Sequence, residues 1–216
     1  SHLWLGPTSN WYGMRINHLL HHKHTNDETL DPDMWCSENG IGGKNFILFR
    51  WMTLDLAYWY YVYPIFFKES FRSICDFLGY EIVILAILAL SFHFGFFYIL
   101  LQYWIIPSRF AILILSYAFD YLPHYPHKVK KSENKYLTTS YISGPNYIRF
   151  ILSLLIFYQN YHIIHHLYPQ IPFYNYICYW KIEKQELICK HKIEIKRFLL
   201  YLGEEAIPVS RSLAKE

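Results

Sequence analysis

Several features that would point to a secreted or a nucleic-acid-binding protein are missing from this chain. None of its four cysteines belongs to a Cys-x-x-Cys pair, which argues against a disulfide framework and favours reduced thiols facing a cytosol-like compartment. The net charge is only +3 and the basic residues form no stripe, so we predict no nucleic-acid partner. The cysteines are Cys36, Cys75, Cys178 and Cys189.

Charge is nearly absent from one long stretch, residues 82–119, where Arg109 is the sole full charge. This run is about twice the roughly 20 apolar residues that cross a bilayer. It therefore predicts two membrane spans joined by a tight turn at residues 107–109. A buried apolar hairpin in a soluble protein is the alternative.

What the chain has in abundance is apolar and aromatic side chains, at 53% and 20% of residues. Rings with a polar tip collect at membrane–water interfaces. Residues 51–67 are strongly aromatic but are interrupted by Asp55 and Pro64, and we predict an interfacial or partly inserted helix there, with a full third span as the alternative. Residues 181–200 mix Lys and Glu with apolar residues and predict an amphipathic soluble helix. We therefore divide the chain into a domain at residues 1–180 and a C-terminal helix and tail at 181–216.

Nine of the twelve histidines fall in three short segments, the ninth being His24 just after the first of the two boxes defined below. Positions i, i+3 and i+4 of a helix share one face, so each His-x-x-His-His box can aim two or three imidazoles at one metal ion. A solvated His-rich loop or a set of core histidines is the alternative, which two boxes of identical spacing disfavour. Box A comprises His18, His21 and His22, box B comprises His162, His165 and His166, and the intervening segment holds His124 and His127.

The order of these segments predicts that both boxes face one compartment. Box A precedes the two predicted spans and box B follows them, so two crossings return the chain to its starting side. Four lysines just beyond the second span favour the cytoplasm as that side. These are Lys128, Lys130, Lys131 and Lys135.

At these motifs the sequence resembles the membrane fatty acid desaturase/hydroxylase superfamily, and most nearly its beta-carotene hydroxylase branch. The resembling stretches are HLLHHKHTND followed by DPD, RWMTLDLAYWYY, LPHYPH and QNYHIIHHLYPQIPFY, which run from about His18 to Tyr174. The resemblance implies an all-α integral membrane protein, desaturase-like, with a two-span hairpin and a cytosolic histidine-rich cap.

The resemblance also implies a chemistry. It implies two non-haem iron ions, O2 as co-substrate, and hydroxylation of an apolar lipid such as a carotenoid ring. Desaturation of a fatty acyl chain is one alternative, and an inactive or merely metal-binding membrane protein is another. No haem, flavin or iron–sulfur motif is visible, so a separate electron donor of the ferredoxin or cytochrome b5 type is implied.

The ligands implied by the resemblance are the histidines of box A and box B together with His124, with His127 competing for the role of His124. The superfamily has a further, earlier histidine box, of which only His2 is available here. The chain begins at Ser1 rather than at Met, and we expect that it is an N-terminally incomplete fragment. Asn160 is a candidate outer or water-mediated group. Asp31 and Asp33 can orient imidazole N–H groups, or simply form a turn.

Overall fold

The computed structural model describes residues 11–66, 68, 70–144 and 146–197. These described residues form two compact units, the first within residues 11–23 and 29–117 and the second within residues 24–28 and 118–197. His2 and the tail at 198–216 lie outside the described residues.

Helices dominate both units. The first unit contains the helices α1 (Trp11–His24), α2 (Ile47–Met52), α3 (Leu54–Phe66) and α4 (Phe71–His93). The last residue of α1, His24, is counted with the second unit. Short 3-10 turns lie at Pro32–Cys36 and Gly43–Phe46. The long helix α5 runs from Phe97 to His124 and includes π-helical turns at Leu101–Ile105 and Ser116–Tyr121. The second unit adds β1 (Tyr141–Ser143), α6 (Asn146–Leu155), α7 (His162–Leu167), α8 (Tyr176–Cys189) and β2 (Ile195–Arg197), with 3-10 turns at Gln159–Tyr161 and Phe173–Asn175.

Helices α4 and α5 are the two described helices that are long and apolar enough to cross a membrane. The predicted turn at residues 107–109 is wrong, because Pro107 lies inside α5 and the chain turns at residues 94–96. Gly95 adopts φ 75°, a left-handed conformation that glycine accepts without strain. Pro107 is tolerated because a π-helical turn precedes it, in which the Ile106 N–H bonds to the Leu101 carbonyl.

The single charge of the apolar stretch is paired within the first unit. Arg109 Nη1 donates to Asp55 Oδ1 at 2.9 Å and Nη2 donates to Oδ2 at 2.6 Å, and Nη1 also reaches the Met52 carbonyl at 3.2 Å. One further bond ties the same helix to α2, from Ser116 Oγ to the Trp51 carbonyl at 3.0 Å. These carbonyls are accessible because α2 ends at Met52, where the last carbonyls of a helix lack partners within it. The next helix, α3, has 13 residues and is shorter than a bilayer crossing requires.

The core of the second unit is built around α8 and the two-stranded parallel sheet. Tyr141 of β1 stacks on Trp180 of α8 with ring centroids 4.0 Å apart, and both are buried. The predicted single helix over residues 181–200 is wrong, because α8 ends at Cys189. Lys192 takes φ 52° and the alternating segment after it pairs as β2, with Lys196 opposite Ile142.

The second unit also contains the short segment 24–28, which is far away in sequence. Asn26 Nδ2 donates to the carbonyls of Val129 and Thr138, each at 2.9 Å, and the Lys131 N–H donates to the Thr25 carbonyl at 3.0 Å. The segment that follows box A is therefore held by residues more than a hundred positions later.

A buried lysine gives the second unit a testable pH dependence. Lys196 Nζ donates to the Tyr125 carbonyl and lies 3.7 Å from Glu194 Oε2. Burial lowers the pKa of Lys196 from 10.5 to about 8, and Glu194 opposes this only in part. Because the unfolded chain then binds this proton more tightly, stability should increase as pH rises from 8 to 10.5.

The Lys196→Met variant should lose that increase, which we expect to be on the order of 3 kcal/mol. Thermal unfolding at about pH 7 and about pH 10 measures it as a difference between wild type and variant. Lys190→Met is the matched control, since Lys190 is exposed and paired with Glu186. An equal pH response in wild type and Lys196→Met would contradict the prediction.

Candidate metal centre

Box A lies on α1, where its three histidines are three and four residues apart. The Nε2 atoms of His18 and His22 lie 3.1 Å apart, one helical turn from each other. His21 is buried, and its Nδ1 faces two carboxylates, Asp31 Oδ1 at 2.8 Å and Asp33 Oδ2 at 3.1 Å. With Nδ1 donating to a carboxylate, the lone pair of the neutral His21 ring lies on Nε2, the atom that would bind a metal ion.

A tight turn positions these carboxylates. Asp31 caps the 3-10 helix Pro32–Cys36, since its Oδ1 accepts the Asp33 N–H at 3.0 Å. Tyr58 Oη donates to Asp33 Oδ1 at 2.7 Å. Burial raises the pKa of the Asp33 carboxyl, an effect that nearby His21 opposes. The two readings of Asp31-Pro32-Asp33 are thus compatible, because one segment is both a turn and a carboxylate pair facing His21.

Arg50 holds the loop after this turn, a role that the sequence analysis missed. Its guanidinium is fully buried and donates to the carbonyls of Trp35 at 2.8 Å, Ser37 at 2.6 Å and Gly43 at 2.9 Å, and also to that of Ile41. Carbonyl dipoles from one loop thus surround the cation. No local pattern signals such a contact, because it depends on how the loop closes onto α2.

Box B lies on α7 in the second unit, where it is joined by His124 from the end of α5. His162 Nε2 lies 3.0 Å from His124 Nε2 and 3.0 Å from His166 Nε2. All three imidazoles are buried, and their ligand atoms lie within 4.8 Å of one another. Three imidazole nitrogens at this separation form a compact set of donor atoms.

The opposite nitrogen of each of these rings faces an acceptor oxygen. A neutral imidazole that donates from Nδ1 carries its lone pair on Nε2, so in this tautomer all three clustered Nε2 atoms can act as metal donors. Such a donor set fits a transition-metal ion that prefers imidazole, such as iron. The acceptors are the Thr138 carbonyl for His124 (3.2 Å), Gln159 Oε1 for His162 (2.5 Å) and Thr25 Oγ1 for His166 (3.4 Å).

The remaining histidine of box B, His165, is fixed by a tyrosine. Its Nδ1 lies 2.9 Å from Tyr176 Oη, and burial raises the pKa of that tyrosine to about 12. The hydroxyl therefore stays protonated and neutral at physiological pH. From sequence, Tyr176 belongs to an aromatic group with Phe173 and Tyr174, whose expected role is to line a substrate entrance or to anchor at an interface. In the structure it contacts box B directly.

Asn160 and His127 lie close to the same histidines in sequence and are also buried. Asn160 Oδ1 accepts from Ser153 Oγ at 3.2 Å, while its Nδ2 is buried and has no hydrogen-bond partner among the described residues. The His127 ring lies 6.2 Å from that of His124, centroid to centroid. Within the described part of the chain, the ligand atoms that group together include none from His127.

The Tyr176→Phe variant tests the contact to His165. It removes one hydroxyl and preserves the ring, so the core should stay folded while His165 loses its orientation. We expect metal affinity or activity to fall by roughly 10–100-fold, as is typical when an outer partner of a ligating histidine is lost. Tyr179→Phe on the same helix is the control and should change neither quantity. Unchanged metal affinity and activity in Tyr176→Phe would show that the contact is only structural.

Comparison with known proteins places this arrangement in context. Residues 1–192 match the family described as "Fatty acid desaturase". A dihydrorhizobitoxine desaturase from Bradyrhizobium elkanii is 28% identical over 195 residues, which covers 82% of this chain and 53% of that protein. The chain thus spans about half the length of this relative. No solved structure is significantly similar.

Proposed function

Because the chain belongs to the fatty acid desaturase family, we propose that it acts in the membrane as an enzyme that uses non-haem iron and O2 to oxidise an unactivated C–H bond of an apolar lipid. The observation that carries the proposal is the cluster of three buried imidazole nitrogens, in which His162 Nε2 lies 3.0 Å from the Nε2 atoms of His124 and His166. Neutral imidazoles suit iron, and burial keeps water from the oxidant.

We further propose, from the resemblance to the desaturase/hydroxylase superfamily, that the protein binds two iron ions with ligands drawn from the histidines of box A and of box B. The support is the short spacing of imidazole nitrogens within each box: the Nε2 atoms of His18 and His22 lie 3.1 Å apart, and those of His162 and His166 lie 3.0 Å apart. His2 and His127 are secondary candidates. The proposed ligands are His18, His21, His22, His124, His162, His165 and His166.

Iron supplies O2 activation when bound, and the protein residues supply geometry. Asp31 and Asp33 fix the ring of His21 through Nδ1, and Tyr176 does the same for His165. The buried Nδ2 of Asn160 would be able to donate a hydrogen bond to a water molecule near box B. The chain itself has no recognisable redox cofactor motif, so electrons would come from a separate carrier of the ferredoxin or cytochrome b5 type.

Desaturation is the outcome favoured by the comparisons, since the family and the curated relative both carry that name. Hydroxylation of a carotenoid ring is the second candidate, and it is supported by the likeness of the histidine motifs to that branch. The two outcomes share the first C–H cleavage. They differ in whether a second hydrogen is removed or a hydroxyl is added.

The deciding experiment is product analysis with the whole protein. Cells that make it would be supplied with an acyl lipid or with beta-carotene, and products would be identified by mass spectrometry beside metal analysis of purified protein. We expect two irons per chain, O2-dependent product formation, and a double bond or a hydroxyl in one substrate class. Protein that holds zinc without iron and yields no oxidised lipid would refute the proposal and leave a non-catalytic metal-binding protein.

We also propose that the boxes face the cytoplasm. The four lysines that follow α5 support this orientation through the positive-inside tendency. Once the exposed cysteines Cys75, Cys178 and Cys189 are replaced by serine, labelling of the Lys128→Cys variant by a membrane-impermeant reagent should succeed in inverted vesicles and fail in right-side-out vesicles. The reverse pattern would place the boxes on the other side.

A further inference from the structure

His124 is the last residue of the long apolar helix α5, and a helix end does not position a side chain by itself. The final carbonyls of a helix lack partners within it, and terminal turns fray unless other contacts hold them. His162 and His166, by contrast, are one turn apart on α7, so that helix sets their spacing. The place of His124 in the nitrogen cluster therefore depends on contacts from outside α5.

The segment that leads into β1 holds the end of α5 at two points. The Thr138 carbonyl accepts from His124 Nδ1 at 3.2 Å, which orients the imidazole ring. Ser140 donates to the Pro123 carbonyl twice, from its backbone N–H and from Oγ, each at 2.9 Å. The ring of His124 and the carbonyl that precedes His124 in the chain are therefore both bonded to this segment.

The strand β2 holds the residue on the other side of His124. Lys196 Nζ donates to the Tyr125 carbonyl and lies 5.7 Å from the centre of the Tyr125 ring. Successive side chains of a strand point to opposite faces, and Ile195 packs against the core around α8, so Lys196 faces the other way. Because β2 pairs with β1, one small sheet and its flank hold three consecutive residues at the end of α5.

A lysine is a costly residue at this position. Its side chain is only 3% exposed, and a buried ammonium group loses hydration that packing does not replace. Glu194 Oε2 lies 3.7 Å from Nζ, which is longer than a hydrogen bond. The hydrogen bond to the Tyr125 carbonyl is a contribution that an apolar side chain in β2 could not make.

We propose that Lys196 is a positioning residue for His124: by holding the Tyr125 carbonyl, it keeps the His124 imidazole within reach of a metal ion bound by His162 and His166. This inference rests on the proposed function, because it requires that the three nitrogens bind a metal ion. Lys196 lies 71 positions after Tyr125 and outside residues 1–192, the part of the chain that matches the desaturase family. A contact from β2 is thereby added to the groups that orient the histidines.

Cobalt binding in a double-mutant cycle tests the inference on the whole, iron-free protein in detergent. Co2+ lies next to Fe2+ in the affinity order for nitrogen sites, and its visible absorption reports binding. All chains carry His18→Gln and His22→Gln, so that box A does not contribute. Lys196→Met and the shorter Lys196→Leu both remove the donor, and each is made with His124 present and with His124→Gln. Lys190→Met is the matched control, since Lys190 is exposed and in the same unit, and far-UV circular dichroism reports the fold of every variant.

With His124 present, we expect both Lys196 variants to weaken Co2+ binding by roughly 10–100-fold, as is typical when a group that orients a ligating histidine is lost. With His124→Gln, the same variants should change the affinity by less than about twofold, because the ring that Lys196 positions is gone. Lys190→Met should have no effect in either background.

Two results would overturn the inference. One is an unchanged Co2+ affinity in the Lys196 variants that retain His124. The other is an equal loss of affinity with and without His124, which would show that Lys196 supports the unit as a whole. A parent chain that bound no Co2+ would refute the metal centre together with this inference, whereas binding without coupling between Lys196 and His124 would refute the role of Lys196 alone.

Discussion

Replacing His162 by glutamine is expected to abolish turnover and to release iron from box B. His162 Nε2 lies 3.0 Å from each of the two other nitrogens, so its loss removes the donor that both of the others contact. Loss of an outer partner costs roughly 10–100-fold, and loss of this central ligand should exceed that range. Glutamine preserves approximate volume and polarity, which keeps the buried site from collapsing.

Iron content and product formation measure the effect of His162→Gln, and far-UV circular dichroism reports the fold. His191→Gln is the matched control, because His191 belongs to the same unit but stacks on Tyr136 with ring centroids 3.5 Å apart. The control should retain iron and activity. If His162→Gln retained both, the triangle of nitrogens would not be a metal site.

The second large effect concerns stability rather than chemistry, at the ion pair of Arg109 and Asp55. Their side chains are 18% and 7% exposed, and the contact is bidentate. Arg109→Leu leaves a buried carboxylate without its partner, which typically destabilises by about 3–5 kcal/mol. For a chain of this size we expect the thermal midpoint to fall by roughly 6–20 °C.

A double variant separates the charge effect from packing. Removing both charges, with Asp55→Leu and Arg109→Leu together, leaves no buried unpaired ion and should restore most of the lost stability. Thermal unfolding of the wild type, both single variants and the double variant gives the coupling directly. If the double variant lost as much unfolding free energy as the two single variants lose in total, the pair would contribute through packing alone.

Much of the candidate site could be predicted because its information is local. Histidines at i, i+3 and i+4 share a helix face whatever surrounds them, and α1 and α7 are indeed helical at both boxes. The Asp-Pro-Asp turn was also foreseen, since its geometry depends on adjacent residues. Two apolar helices were predicted from composition. Their length and apolarity agree with the structure, whereas their hairpin arrangement in a membrane stays a prediction.

Other features were out of reach because hydropathy does not encode them. Pro107 suggested a break between two helices, but it lies inside α5 after a π-helical turn. The chain turns at Gly95, which has a positive φ. Charge spacing predicts a helix over residues 181–200, but Ile195–Arg197 form a strand that pairs with β1. Arg50 and Tyr176 act through contacts that only the folded chain creates. Sequence periodicity indicates candidate ligands more readily than it indicates the groups that hold them.

The segment 24–28 has a consequence for how the protein is made. It leaves the ribosome immediately after box A, yet its hydrogen-bond partners, Val129, Lys131 and Thr138, are synthesised about a hundred residues later. Thr25 also faces His166, which emerges later still. The segment after box A therefore cannot form these hydrogen bonds until both apolar helices have been synthesised. Contacts this distant in sequence are slow to form, so metal loading should be a late, post-translational event.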